Sequence, residues 1–304
     1  MMTMRTLLSC LSLAALLVAQ DPEPPQPKAE KPEVGEQDPI AQMQEIFAKS
    51  GIVLDREAKT VSIPCVFGEP TDPVEFLLIH PRGKAHESVL MSEVQGSVLN
   101  AALIALGYQK GENVRIVQKD PMPTEEEVAA GAAWFDLFPP KGQQVWITLK
   151  WQYVDDDGEK VDVEIPVEDL ILDLATGRPI EDSSFIYIGG QMAPIYRGDP
   201  PVFVADYEGN YVSSVYKPQP NHLITVKHEA ANDDQRWWVT ERMQPRDKPA
   251  TLVFHATETK LHKERRERIE KERKAREAAG EPDTLPEDER QAPPREATGG
   301  GRGR

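Results

Sequence analysis

From Gly51 to His255, turn signals recur about every ten residues, and between them lie short runs rich in Val, Ile, Tyr, Phe, Trp and Thr. Such a chain has no room for long helices, so it must build its core from short strands. The sharpest case is Gln144–Val154 (QVWITLKWQYV) followed by Val161–Val167 (VDVEIPV). Both alternate apolar and polar residues, and Asp155-Asp156-Asp157-Gly158 joins them, a turn that predicts a hairpin. The same aspartates suggest a calcium loop. An EF-hand needs glycine at loop position 6 and glutamate at position 12, whereas Gly158 falls at position 4 and Pro166 at position 12.

The densest apolar stretch beyond the first twenty residues is Val74–Gly107. Val74–His80 reads as a strand covered on both faces. Pro81-Arg82-Gly83-Lys84 reads as a tight turn, and His86–Met91 as a second strand pairing back. Residues 95–106 predict the most buried helix, with Ser97 as N-cap and Gly107 just past its end. Thr124–Glu127 fits a capping box before VAAGAAWFDLF and predicts an inserted helix over about 124–137, docked by Trp134, Phe135 and Phe138. A short amphipathic helix is expected over 39–49 and further strands between 185 and 255. These elements define an α+β domain over 45–257, a mainly antiparallel sheet with one buried helix. A β-sandwich is the alternative. About 210 residues are enough for a substantial core without disulfides.

The ends differ from this body. MMTMR is basic, and Leu7–Ala19 is an apolar run of thirteen residues. A bilayer span needs about 20, so residues 1–20 read as a signal peptide and the chain as exported, periplasmic or extracellular. Residues 21–44 form a Pro- and Glu-rich tether. Residues 258–280 mix opposite charges at helical spacing with almost no apolar stripe, which predicts a solvated helix. Residues 281–304 read as a disordered tail. The net charge is −16 over the chain, +1 after residue 257 and +1 before residue 20, so residues 20–257 carry −18. Such a body repels nucleic acid and anionic lipid. Nothing in the mature chain reads as a membrane span.

Chemistry is sparsely signalled. There is no G-x-S-x-G, H-E-x-x-H, P-loop, G-x-G-x-x-G or C-x-x-C. Cys10 leaves with the signal, and Cys65 in VSIPCVF reads as a small buried hydrophobe. Trp237-Trp238 reads as one ring packed inward and one outward. The cluster that stands out is His80, Lys84, His86 and Glu87, with Arg82 nearby. If the two strands pair as a hairpin, His80 and His86 meet at its mouth. They could then hold a divalent metal with a carboxylate, or Lys84 could hold an anion. The structural alternative is an ordinary exposed turn. Adjacent strand residues point to opposite faces, which weighs against His86 and Glu87 acting together.

The stretch EFLLIHPRGKAHESVLMSEVQGSVLNAALIALG resembles the YdjY-like domain of exported bacterial proteins. The features carried are an apolar strand, Gly83-Lys84, His86-Glu87-Ser88 and the Ala101–Gly107 helix. VWITLKW, the Asp-Asp-Gly hairpin and VFVADYEGN fit the same layout, so the resemblance covers about residues 51–255. It implies no activity, no catalytic residues and no cofactor. The expectation is a non-catalytic binding domain of the cell envelope with a protein or envelope partner. A metal- or ligand-binding domain using His80 and His86, and an unrecognised hydrolase, are the alternatives.

Overall fold

The computed structural model describes residues 39–155 and 157–290. The expected signal peptide, most of the tether and the end of the tail lie outside the described residues.

Eight strands close into a barrel. They are β1 (Thr60–Phe67), β2 (Phe76–Ile79), β3 (Ser88–Met91), β4 (Gln144–Val154), β5 (Ser184–Tyr187), β6 (Asn210–Ser213), β7 (Ile224–Lys227) and β8 (Pro249–His255). Around the ring the order is β1-β8-β4-β5-β7-β6-β2-β3, and β3 returns to β1 through Val66↔Met91 and Phe67↔Leu90. A closed barrel therefore replaces the alternative of a sandwich. Closure removes the exposed edges that a flat sheet would leave. Most neighbours are antiparallel, as expected, but β2–β3 and β6–β7 are parallel.

Period-2 patterning places the core. On β1 the buried positions are Val61, Ile63, Cys65 and Phe67; on β4 they include Val145, Ile147, Leu149 and Trp151. β8 lies between these strands and adds Leu252 and Phe254. Trp151 meets Phe67 edge-on at 5.6 Å between ring centres, a favoured aromatic geometry. Burial pushes the Cys65 thiol up to about 12, so it behaves as an inert small hydrophobe. The Asp-Gly hairpin is present: β4 pairs with Lys160–Pro166, and Gly158 takes φ +82° in the turn.

Helices pack outside the ladder. α1 (Pro39–Lys49) precedes a short strand, Val53–Asp55, on the edge of β1. α2 (Gly96–Ala105) is the predicted buried helix, with Leu99, Ala102 and Leu103 in the core. Its N-cap is Gln95 and not Ser97, whose amide instead donates to Asp206 Oδ1 at 2.9 Å from α4 (Val204–Glu208). Ile104 is exposed, so α2 is covered on one side only.

The inserted helix differs most from expectation. α3 spans only Glu125–Ala129. The predicted capping box is there: Glu127 N donates to Thr124 Oγ1, and Thr124 N donates to Glu127 Oε2. Gly131, at φ +98°, takes a left-handed conformation just beyond it. The chain then extends, and Phe135–Phe138 pairs with Arg115–Gln118 as a separate two-stranded ribbon.

α5 (Lys260–Ala279) was expected to be solvated on all sides. It instead packs on the Lys160–Pro166 strand and on the acidic residues Glu168, Asp169 and Glu181, which flank a three-stranded sheet formed by Ile171–Asp173, Arg178–Pro179 and Trp237–Val239. Arg265, buried, donates to Asp169 Oδ1 at 2.7 Å and to the Ile180 carbonyl at 2.6 Å. Arg276 reaches Glu181 at 3.2 Å, and Arg273 contacts both Glu181 and Asp182. Ionic docking replaces the missing apolar stripe. Trp237 is fully buried in the same small sheet and Trp238 half-buried, the expected alternation. Among the described residues no helix is long and apolar enough to cross a membrane.

Candidate functional site

The segment after β2 does not turn back as a hairpin. His80 N donates to the Gly209 carbonyl at 2.7 Å, and Gly83 N donates to the His80 carbonyl at 2.7 Å. Gly209 holds φ +74°, and the two glycine backbones touch. Held there, residues 80–87 run back along β2, and β3 starts beside Phe76 in parallel register. Ala85–Glu87 forms a 3-10 turn, so His86 is not part of the strand.

This corrects the expected meeting of His80 and His86. His80 follows the C-terminal end of β2, at Gly209. The carbonyl of His86 accepts from Thr71 N and Asp72 N, and Glu75 N bonds the Glu87 carbonyl, at the other end. His80 is buried; its Nδ1 accepts from Arg82 N at 3.2 Å and Arg82 Nε at 3.3 Å, and Nε2 lies 3.5 Å from Glu93. Burial and then Arg82 lower its pKa. His86 is exposed, 3.4 Å from Glu87 Oε1. Among the described residues, no three His, Cys, Asp or Glu side chains form a group that could hold a metal ion.

Lys84 and Glu87 do come together, but inside a closed ion network. Lys84 Nζ lies 2.9 Å from Glu87 Oε2 and 3.0 Å from Glu75 Oε2. Lys217 Nζ reaches the same Glu75 oxygen at 2.7 Å. Both ammonium groups also sit over the Phe76 ring, at 5.8 and 5.7 Å. Burial alone would raise the Glu75 carboxyl, but hydrogen bonds led by Lys217 outweigh it and hold the group down to about 2. Hydrogen bonds to Glu87 and Glu75 raise Lys84 against the opposing effect of burial. Two cations and two carboxylates compensate one another, so the network is built to hold the crossover in place. Lys217, the partner that completes it, carries no signal in the sequence near Glu75.

A second polar group was not foreseen. Thr148 Oγ1 donates to Glu164 Oε1 at 2.8 Å and lies 2.9 Å from His255 Nε2. Burial holds His255 down to about 4. The hydroxyl stands between the imidazole and the carboxylate, whereas a nucleophilic triad needs the imidazole in the middle. Thr148 is fully buried. Its position between strands could have been reached only by aligning β4, β8 and the 160–166 strand in register.

The ribbon is the more open feature. Its neck is Gly111 against Gly142: a Cβ on Gly111 would lie 2.5 Å from the Lys141 carbonyl and 2.6 Å from that of Tyr187. Asn113 Nδ2 fastens the base by donating to the Lys217 carbonyl at 2.7 Å. Beyond Val114, which is buried, all eight ribbon residues are exposed. Ile116, Val117, Met122, Trp134, Phe135, Leu137 and Phe138 are each 37–57% exposed. Single exposed apolar residues are ordinary, but seven on one excursion set this segment apart from the rest of the surface. The aromatics expected to dock a helix are instead presented outward.

An eight-stranded mixed barrel with an apolar side arm is thus the class of domain. Residues 52–193 match the family model of the YdjY domain, and the chain carries a YdjY-like domain over that range. No curated protein and no solved structure matches the chain. The matched segment contains β1–β5 and the whole arm, while β6–β8, which complete the barrel, follow it.

Proposed function

We propose that the protein is an exported, non-catalytic interaction domain of the cell envelope, and that the arm formed by residues 112–141 is its docking element. The carrying observation is the seven large apolar side chains exposed on an arm whose two strands pair with no barrel strand. Export is supported by the basic MMTMR and the thirteen-residue apolar run Leu7–Ala19. The polar clusters beside β2 and β4 satisfy one another internally, which favours a scaffold over a reaction centre. The test is a photo-crosslinking residue placed at Phe135 in the full chain within its own cells. A discrete adduct from Phe135, absent when the probe stands at exposed Val53, is the expected result. No adduct above the Val53 background overturns the proposal.

A further inference from the structure

Four arginines converge on one cavity of about 350 Å³ beside α5. Arg265 and Arg268 stand on one face of the helix. Arg178 comes from the small three-stranded sheet, and Arg242 from the turn that follows its Trp237–Val239 strand. Cations drawn together from separate parts of a chain repel one another unless anions lie among them. The acids that line the cavity match only part of this charge. Asp169 pairs with Arg265 at 2.7 Å. Glu181 pairs with Arg178 at 3.1 Å and with Arg276 at 3.2 Å. Glu272 stands 4.0 Å from Arg268, with both side chains 53% exposed, and such a pair is weak in water.

Docking of α5 accounts for Arg265 and Arg178 but not for the other two. Arg268 makes no hydrogen bond among the described residues, and its contacts with Asp169 at 3.6 Å and Glu272 at 4.0 Å are loose. Arg242 bonds through its backbone, to Thr240 Oγ1 and from Gln244 Nε2, and its guanidinium has no partner among the described residues. Arg265 uses Nε and Nη2 on Asp169 and the Ile180 carbonyl and leaves Nη1 without a partner among them.

We infer that this cavity is a binding site for a phosphate monoester. A planar carboxylate matches one guanidinium fork. Guanidinium groups presented from both the helix and the turn call for oxygens that diverge from one centre, as those of a phosphate do. The volume exceeds that of a phosphate alone and falls among small-molecule sites, about 300–1,000 Å³. Pro179 and Ile269 supply apolar wall for the carbon part of the ester. Residues 20–257 carry −18, so the general field repels anions and binding must come from these local donors. The site is separate from the arm and does not depend on the arm's role.

Isothermal titration of the full chain with glycerol 3-phosphate tests this. One site per chain is expected, with a dissociation constant below about 1 mM, weakening in roughly 0.5 M salt. Arg242→Gln and Arg268→Gln are each expected to weaken binding on the order of tenfold, the loss of one charge-assisted hydrogen bond. Both side chains are exposed and loosely held, so both variants should unfold at the wild-type temperature without ligand. Glu272→Gln removes a competing carboxylate and is expected to tighten binding. Arg197→Gln, at an exposed arginine in another loop, is expected to leave it unchanged. Cosedimentation with phosphatidic acid vesicles distinguishes the sources of the ester. Retention that Arg242→Gln abolishes assigns it to a lipid headgroup, and titration without retention assigns it to a soluble molecule; either supports the site. No binding by either route at about 1 mM ligand overturns the inference. So does binding that neither Arg242→Gln nor Arg268→Gln weakens.

Discussion

Gly83 and Gly209 meet backbone to backbone: a Cβ on Gly83 would lie 2.9 Å from the Gly209 carbonyl oxygen, and one on Gly209 would lie 3.1 Å from Gly83 N. Gly209 also holds a left-handed φ of +74°, which costs a residue with a Cβ about 1–2 kcal/mol. Gly83→Ala is expected to cost about 1–3 kcal/mol, since neither backbone can retreat without breaking the His80 N to Gly209 O bond. Gly209→Ala is expected to cost at least as much. Urea unfolding of both variants checks this, and a midpoint equal to wild type would show that the crossover is not fixed by this contact.

Acid is expected to destabilise the fold in two stages. Burial lowers His222 from 6.5 to about 3 and His255 from 6.5 to about 4. A histidine depressed on folding contributes its full stability above its unfolded value and loses it as pH falls toward the folded one. The first loss therefore runs from about pH 6.5 down to about 4 for His255 and on to about 3 for His222. Glu75, lowered from 4.5 to about 2, adds a second loss as pH falls through that window. Unfolding free energy measured from pH 8 to pH 3 should fall in that order. His222→Gln should flatten the first stage, and Glu75→Gln the second.

Arg265 is expected to be the anchor of α5. Arg265→Met leaves the buried Asp169 carboxylate with Arg268, at 3.6 Å, as its remaining ion-pair partner among the described residues. Breaking one side of a buried pair typically costs about 3–5 kcal/mol. Limited proteolysis should then cut within 260–279, where wild type resists. The double variant Asp169→Leu, Arg265→Met should regain much of the lost stability, because it removes the stranded charge.

The barrel is expected to stand without the arm. The ribbon pairs with no barrel strand, and the neck closes at Gly111 and Gly142. Replacing residues 115–138 with a short Gly-Ser link should move Tm by less than about 4 °C, the effect of roughly 1 kcal/mol in a domain this size. A larger drop would mean that the arm buttresses the core.

Local pattern made much of this fold legible. The alternation of Val61, Ile63, Cys65 and Phe67 marks β1 and its inward face, and the Asp155–Gly158 turn marks the hairpin. Contacts between distant segments were not legible. The parallel course of β3 depends on Gly209 meeting Gly83, and nothing near Gly83 announces that encounter. The same holds for α5, whose partners Asp169 and Glu181 lie far back in the chain. In the candidate site, Lys84 and Glu87, three apart in sequence, do meet, in an ion pair, but the crossover separates His80 from His86. The arm misled because a true capping box precedes WFDLF, and a strand of four residues is too short to outweigh it.

The register of β1 with β8 sets Thr60 opposite His255 and Val66 opposite Pro249. A ribosome delivers these segments far apart in time. Until the last strand emerges, the longer edge of β1 has nothing to bond to, and the newborn chain must be kept from pairing that edge with a neighbour. Truncation anywhere before Pro249 would leave that edge bare for good.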